Sequence, residues 1–246
     1  MSNGINDEEP LMDLKAGDQD DRLGFIKKVY AILFVQLGIT AAWTAIAITS
    51  TDLAAWMQDN IWLYIVLLIL MIVVEIFLIC VRKVSRKVPV NYILLLIFTM
   101  CESYFVSWLC QYYTYDPYRN DFNSDGYRIV GTAGAMTLAI TAALTTYAWT
   151  TKTDFTRKMG FIWVLGMTFF MLSLFSIFFY SYFLQMFLCA LGVLLFGMYL
   201  VIDTQLIIGE GRHKLGLDDY VLGALILYID IIMIFVYLLQ LLGGRR

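Results

Sequence analysis

Seven apolar runs leave this chain one class of fold. They fall at 29–49, 60–81, 90–111, 129–149, 159–180, 183–208 and 219–242, separated by short polar loops. Each is close to the roughly 20 residues a helix needs to cross the hydrocarbon of a bilayer. Backbone N–H and C=O groups in hydrocarbon must be satisfied within the segment itself, so each run is predicted to be a helix. The expected fold class is an all-α integral membrane protein with seven transmembrane helices. Charge agrees with it: 15% of the 246 residues are charged, where soluble domains carry about 25%, and mean hydropathy is +0.74.

Residues 1–24 are polar, with Asp7, Glu8, Glu9, Asp13, Asp18, Asp20 and Asp21 set against Lys15 and Arg22. Low hydrophobicity with high charge predicts a disordered acidic tail, followed by a transmembrane domain over 25–246. The tail has neither the basic and apolar regions of a signal peptide nor the arginine-rich, acid-poor character of a transit peptide.

Loop charge predicts orientation. Arg22, Lys27 and Lys28 precede the first run. The loops holding Arg82, Lys83, Arg86 and Lys87, then Lys152, Arg157 and Lys158, then Arg212 and Lys214, alternate with loops poor in Lys and Arg. The basic loops and the N-terminus are expected to be cytosolic. Aromatics gather on the other side, at Trp56, Trp62, Trp108, Tyr112, Tyr113, Tyr115, Tyr180 and Tyr182, as an interfacial belt does. The C-terminal Arg245 and Arg246 conflict with this pattern. Seven full crossings place them outside, and a re-entrant last segment would return them to the cytosol. Seven crossings are expected, because the last run is long enough to span.

Four acids interrupt the apolar runs: Glu75, Glu102, Asp203 and Asp230. A carboxylate at the bilayer centre costs roughly 2.5–3.5 kcal/mol on insertion scales, and no run interior holds a Lys or Arg to offset it. At 1.5 Å of rise per residue, Glu75 and Asp203 lie roughly 8–9 Å inside the cytosolic ends, and Glu102 and Asp230 roughly 17–18 Å inside. If the acids face one interior, they outline a path. A close Asp203–Asp230 pair would share a proton, titrate as a unit, and bind a cation or change shape on losing the proton. Tyr199, one turn before Asp203, and Tyr237, on the face of Asp230 with Gly223 and Met233, are candidate donors to the carboxyls. The bland alternative is acids that hydrogen-bond across helices as structural glue.

Other features carry less. Asp121-Phe-Asn123-Ser-Asp125-Gly126 matches the first half of an EF-hand loop, but the twelfth position is Thr132 instead of Glu and no helix precedes it. It reads as a polar turn, or at most a weak calcium site. The loop 209–219, with Arg212, His213 and Lys214, reads as a solvated turn or a contact to anionic headgroups. Gly131, Ala135, Ala139 and Ala143 recur every four residues, the small-residue spacing that lets membrane helices approach closely, and predict a central packing role for the fourth span. The cysteines Cys80, Cys101, Cys110 and Cys189 form no metal or redox spacing and read as packing residues. His213 is the single histidine, so His-based hydrolytic chemistry within one chain is excluded.

Several stretches resemble one family. Phe25-Ile-Lys-Lys-Val-Tyr30 through Gln36-Leu-Gly-Ile-Thr40 resembles the first-span signature of the Bax inhibitor family (transmembrane Bax inhibitor motif proteins), Lifeguard-like branch. Val88-Pro-Val-Asn91 with Ile97-Phe-Thr99 and Thr151-Lys-Thr-Asp-Phe155 are similar to it as well. The most specific match is Tyr199-Leu-Val-Ile-Asp203-Thr-Gln-Leu206, followed by Asp219-Tyr220, Gly223-Ala224 and Tyr228-Ile-Asp230-Ile-Ile232. The resemblance covers about residues 25 to 244. It implies a bundle with a central last helix. It implies a pH-sensitive calcium leak from internal stores through the paired aspartates Asp203 and Asp230, and restraint of cell death in endomembranes such as the endoplasmic reticulum or Golgi. Two departures stand out. Bacterial relatives use a second-span arginine as a latch, where this chain has Glu75 and no arginine. Many members carry Asn three residues after the last aspartate, where this chain has Met233.

The expectations are then a non-enzymatic protein of the lipid bilayer. Calcium is its permeant or bound ion, at Asp203 and Asp230, and protons are its modulators. No other cofactor and no nucleic acid are expected. An aspartyl intramembrane protease fits poorly, because that class needs Gly-x-Gly-Asp and Asp230 follows Leu-Tyr-Ile. The remaining alternative is a scaffold that regulates death or stress signalling by binding other membrane proteins without conducting ions.

Overall fold

A computed structural model describes residues 8–116, 118, 121–179, 181–209 and 213–244, with side chains from residue 19 onward. In chain order the elements are α1 (Glu8–Ala47), α2 (Thr51–Asp59), α3 (Ile61–Cys80), α4 (Arg82–Ser85), α5 (Val90–Thr114), β1 (Tyr115–Asp116), β2 (Asp121–Phe122), α6 (Ser124–Thr150), a 3₁₀ turn (Phe155–Lys158), α7 (Met159–Phe178), α8 (Tyr182–Ile208) and α9 (Tyr220–Gly243). Among the described residues seven helices are long and apolar enough to cross a membrane, and they match the seven runs in order. The helical backbone of α1 reaches back to Glu8, inside the stretch read as a disordered tail. Residues 1–7 lie outside the described residues.

The helix ends follow local chemistry. Ser50 caps α2, its hydroxyl accepting from the Leu53 N–H at 3.3 Å, and Asn123 caps α6, accepting from the Asp125 N–H at 2.9 Å. Such side-chain oxygens satisfy first-turn donors that have no intrahelical partner. Helix α8 ends at Gly209, which takes the left-handed conformation with φ +81, where a Cβ costs steric strain. Its N–H returns to the Gln205 carbonyl at 2.9 Å.

Burial ranks the helices. Two thirds of the α9 span is buried, against 56% for α5, 44% for α8 and 11% each for α3, α6 and α7. Helix α9 is therefore the central one. It packs on α8, α6, α1 and α5, and its Val221, Ala224, Leu225, Tyr228, Ile234 and Leu239 are fully enclosed. The outer helices turn Ile, Leu and Phe outward, as lipid-facing surfaces do when lipid is part of the solvent. The small-residue stripe belongs to that surface. Gly131, Ala135, Ala139 and Ala143 are all exposed, and α6 packs instead through Gly126, Ala133, Thr137 and Ala148. The expected central packing helix is thus α9, not the fourth span. Small side chains let other backbones approach but do not choose which face is buried.

The loops sort onto two faces. Arg22 meets the end of α8, Arg86 meets the start of α9, and Gln205 meets the 151–155 segment, which puts every basic loop on one face. On the opposite face the Tyr127 hydroxyl donates to the Ile48 carbonyl at 2.6 Å. There Gly243 lies so close to the Tyr113 ring that a Cβ would overlap it. Helix α9 starts on the basic face and ends on the other, which makes it a full crossing. Arg245 and Arg246 lie outside the described residues.

Candidate functional site

Helices α8 and α9 run antiparallel and meet rung by rung. Near the basic face the carboxyls of Asp203 and Asp230 are in contact. Asp230 is 4% exposed, Asp203 is half-buried, and Asp230 Oδ2 has no hydrogen-bond partner. Neither carboxyl pairs with a Lys or Arg among the described residues. The pairing expected from the sequence is present.

The tyrosines do not serve the carboxyls as expected. Tyr199 lies beside both acids, but its hydroxyl donates to the Ile162 carbonyl at 3.4 Å. Tyr237 packs on Phe169 and Phe196, with ring centroids 5.6 and 5.8 Å away. It sits two turns further along α9 than Asp230, so shared helix face did not mean shared neighbours.

The last turn of α8, just after Asp203, and the start of α9 are held by three clasps that the sequence does not announce. Gln205 donates to the Thr153 carbonyl and accepts from the Phe155 N–H, both at 2.9 Å. It thereby ties the Asp203-Thr-Gln motif to Thr151-Lys-Thr-Asp-Phe155. Arg22 donates to the carbonyls of Leu206, Ile208 and Leu215 at 2.7, 3.1 and 2.6 Å. Leu206 and Ile208 belong to the last turn of α8, where a cation meets the negative end of the helix dipole, and Leu215 belongs to the loop that follows. A side chain at position 209 would collide with this guanidinium. The third clasp is Arg86, which grips Asp219 at the start of α9 through two bonds of 2.6 and 2.8 Å. These hydrogen bonds hold the Asp219 carboxyl below the usual carboxylate range and push the guanidinium of Arg86 up. Arginines from α1 and from the loop after α3 therefore secure the acid-bearing helices, where bacterial relatives are expected to use one from the second span.

Glu75 and Glu102 form a separate pair. Glu102 is buried on α5 and faces half-buried Glu75 of α3. Tyr228, close to Glu102, lies two residues from Asp230 and so about 200° around the helix. The four acids do not share one interior: α9 stands between the pairs. The two expected levels do not hold either, since the Asp203 and Asp230 carboxyls, set at different depths by helical rise alone, are in contact; both depth and azimuth depend on which helices become neighbours.

In the stretch read as a polar turn or weak calcium site, Asp121 is in the two-residue β1–β2 pairing and its carboxyl accepts from the Phe122 N–H, while the Asn123 side chain caps α6. Among the described residues no group of three or more His, Cys, Asp or Glu is placed to hold a metal. In the 209–219 loop, His213 and Lys214 are exposed, and Arg212 lies outside the described residues.

The family model described as "Inhibitor of apoptosis-promoting Bax1" matches residues 22–246. Over 237 residues the chain is 34% identical to Protein lifeguard 3 of Homo sapiens, covering 94% of this chain and 72% of that protein. It is 30% identical over 225 residues to Bax inhibitor 1 of Schizosaccharomyces pombe, covering 90% of this chain and 77% of the relative.

Proposed function

The chain belongs to the family of inhibitors of apoptosis-promoting Bax1, and from that premise we propose that it is a pH-sensitive calcium leak channel of internal membranes that restrains cell death. The observation that carries this reading is the contact between half-buried Asp203 and buried Asp230, with no basic partner among the described residues. Two bare carboxylates there repel, with little solvent to screen them. A shared proton removes that repulsion, and so does a bound cation. Calcium, a hard cation that takes oxygen ligands, competes with the proton for the same oxygens. Loss of the proton as pH rises then favours cation entry. The positive-inside rule applied to the basic loops supports a cytosolic N-terminus, and with it an acid pair on the cytosolic side of the bilayer.

The test is calcium flux into liposomes holding the purified chain, scanned across neutral pH, beside the Asp203→Asn/Asp230→Asn variant. Flux that rises with pH and vanishes in the folded variant supports the leak. A folded protein silent at every pH sinks it. The second reading, a non-conducting partner of other membrane proteins in death signalling, draws on the outward-facing stripe of Gly131, Ala135, Ala139 and Ala143, which suits close approach of another helix.

A further inference from the structure

Above the acid pair, the α8–α9 seam ends in an open cleft on the non-basic face. It has a volume of about 640 Å³ and is lined by Trp108, Tyr112, Tyr113, Tyr182, Gln185 and Gln240 among others, with no Lys or Arg among its described walls. Ring faces and amide oxygens suit a cation. The cleft and the acids lie on one line. Cys189, beside Tyr113 of the cleft, donates to Gln240 Oε1 at 3.7 Å. The next rung is Tyr237 on Gly192, where an added Cβ would lie 2.6 Å from the ring. Then come Phe196, Tyr199 and the two aspartates. Along α9, Tyr237 is roughly 10 Å and Gln240 roughly 15 Å from Asp230, by the helical rise.

We propose that Tyr237 is the plug that closes this passage, seated in the notch left by Gly192 and walled by Phe169 and Phe196, so that the outer cleft is the cation vestibule of the Asp203–Asp230 site. The proposal rests on the leak reading for what passes, but not for whether a passage exists. At this level, between the cleft and the acids, the rung is the Tyr237 ring on a glycine, flanked by two rings. Removing the ring leaves a gap continuous with the vestibule, and swinging it toward the cleft opens the same route without moving a helix.

The experiment is thiol accessibility. The full chain, with its four cysteines changed to Ser and Tyr199→Cys as reporter, is placed in sealed vesicles with the non-basic face outward and exposed to a membrane-impermeant cationic thiol reagent. The parent is expected to react slowly and Tyr237→Ala at least tenfold faster. Gly192→Ala, whose methyl unseats the ring, is expected to react faster as well. Tyr237→Phe, which keeps the plug, is expected to react at the parent rate and guards against effects of misfolding. Parent-rate labelling in folded Tyr237→Ala, or rapid labelling of the parent, overturns the plug. If labelling follows Tyr237 while calcium flux is absent from every variant, the plug stands and the leak reading falls. If flux depends on the aspartates while labelling ignores Tyr237, the plug falls alone.

Discussion

The two sides of α9 handle buried polarity in opposite ways. Toward α1 and α5, the Tyr228 hydroxyl meets Thr40 Oγ1 at 2.7 Å, and Thr40 meets Ser103 at 3.0 Å. Beside them Gln36 donates to Thr99 at 3.0 Å, and the hydroxyls of Thr40, Thr99 and Ser103 also donate to carbonyls of their own helices. Toward α8, two acids touch; among the described residues neither meets a Lys or Arg, and Asp230 Oδ2 has no hydrogen-bond partner. The first side is a zipper of neutral hydrogen bonds, the ordinary glue of membrane helices. The first side is not free of unmet polarity, since Gln36 Oε1 has no partner among the described residues and the buried Glu102 lies near Tyr228; what sets the second apart is two carboxyls in contact with each other. Like charges in contact are costly where little solvent screens them, so that contact is where a cation or a proton has most to contribute.

The largest expected effect separates the two sides most sharply. Asp203→Asn/Asp230→Asn is expected to abolish calcium flux in liposomes while the thermal unfolding midpoint in detergent holds or rises, because the change removes the charge of the pair and its repulsion. Tyr228→Phe leaves flux and its pH profile in place; abolition of flux by that change in a folded protein breaks the division between the sides.

Next is the clamp on α8. Arg22→Ala removes three hydrogen bonds to carbonyls and a cation from a helix end, and is expected to cost about 2 kcal/mol, read as a lowered unfolding midpoint. Gly209→Ala is expected to fall in the same direction, through its positive φ and its contact with that guanidinium. Tyr228→Phe follows, at about 0.6 kcal/mol, the average for a side-chain hydrogen bond within a membrane bundle.

The smallest effect is the surface clasp. Asp219 is held below the usual carboxylate range by Arg86, so its contribution is complete above an unfolded value of about 4. It is lost as pH falls through the lower folded value. Asp219→Asn is therefore expected to lose a little stability at neutral pH and to show less further loss in acid than the parent. Because Arg86 is partly exposed, added salt weakens the difference.

The chain alone determined the number of crossings, their order and the faces of the loops, because hydropathy and Lys/Arg placement act segment by segment. It also named Asp203 and Asp230, since a carboxylate inside an apolar run stands out whatever surrounds it. What only the tertiary structure decided is which faces meet. Glu75 and Glu102 interrupt apolar runs as the aspartates do but fall on the other side of α9. The stripe on α6 has packing spacing and faces outward. Tyr237 shares a helix face with Asp230 yet closes on Gly192, and Arg22, set among acids in a polar stretch, gave no sign that it caps a helix almost two hundred residues away. Rise along a helix is set by the backbone, but rotation about it is set by partners distant in the chain, and lipid accepts an apolar face in almost any direction.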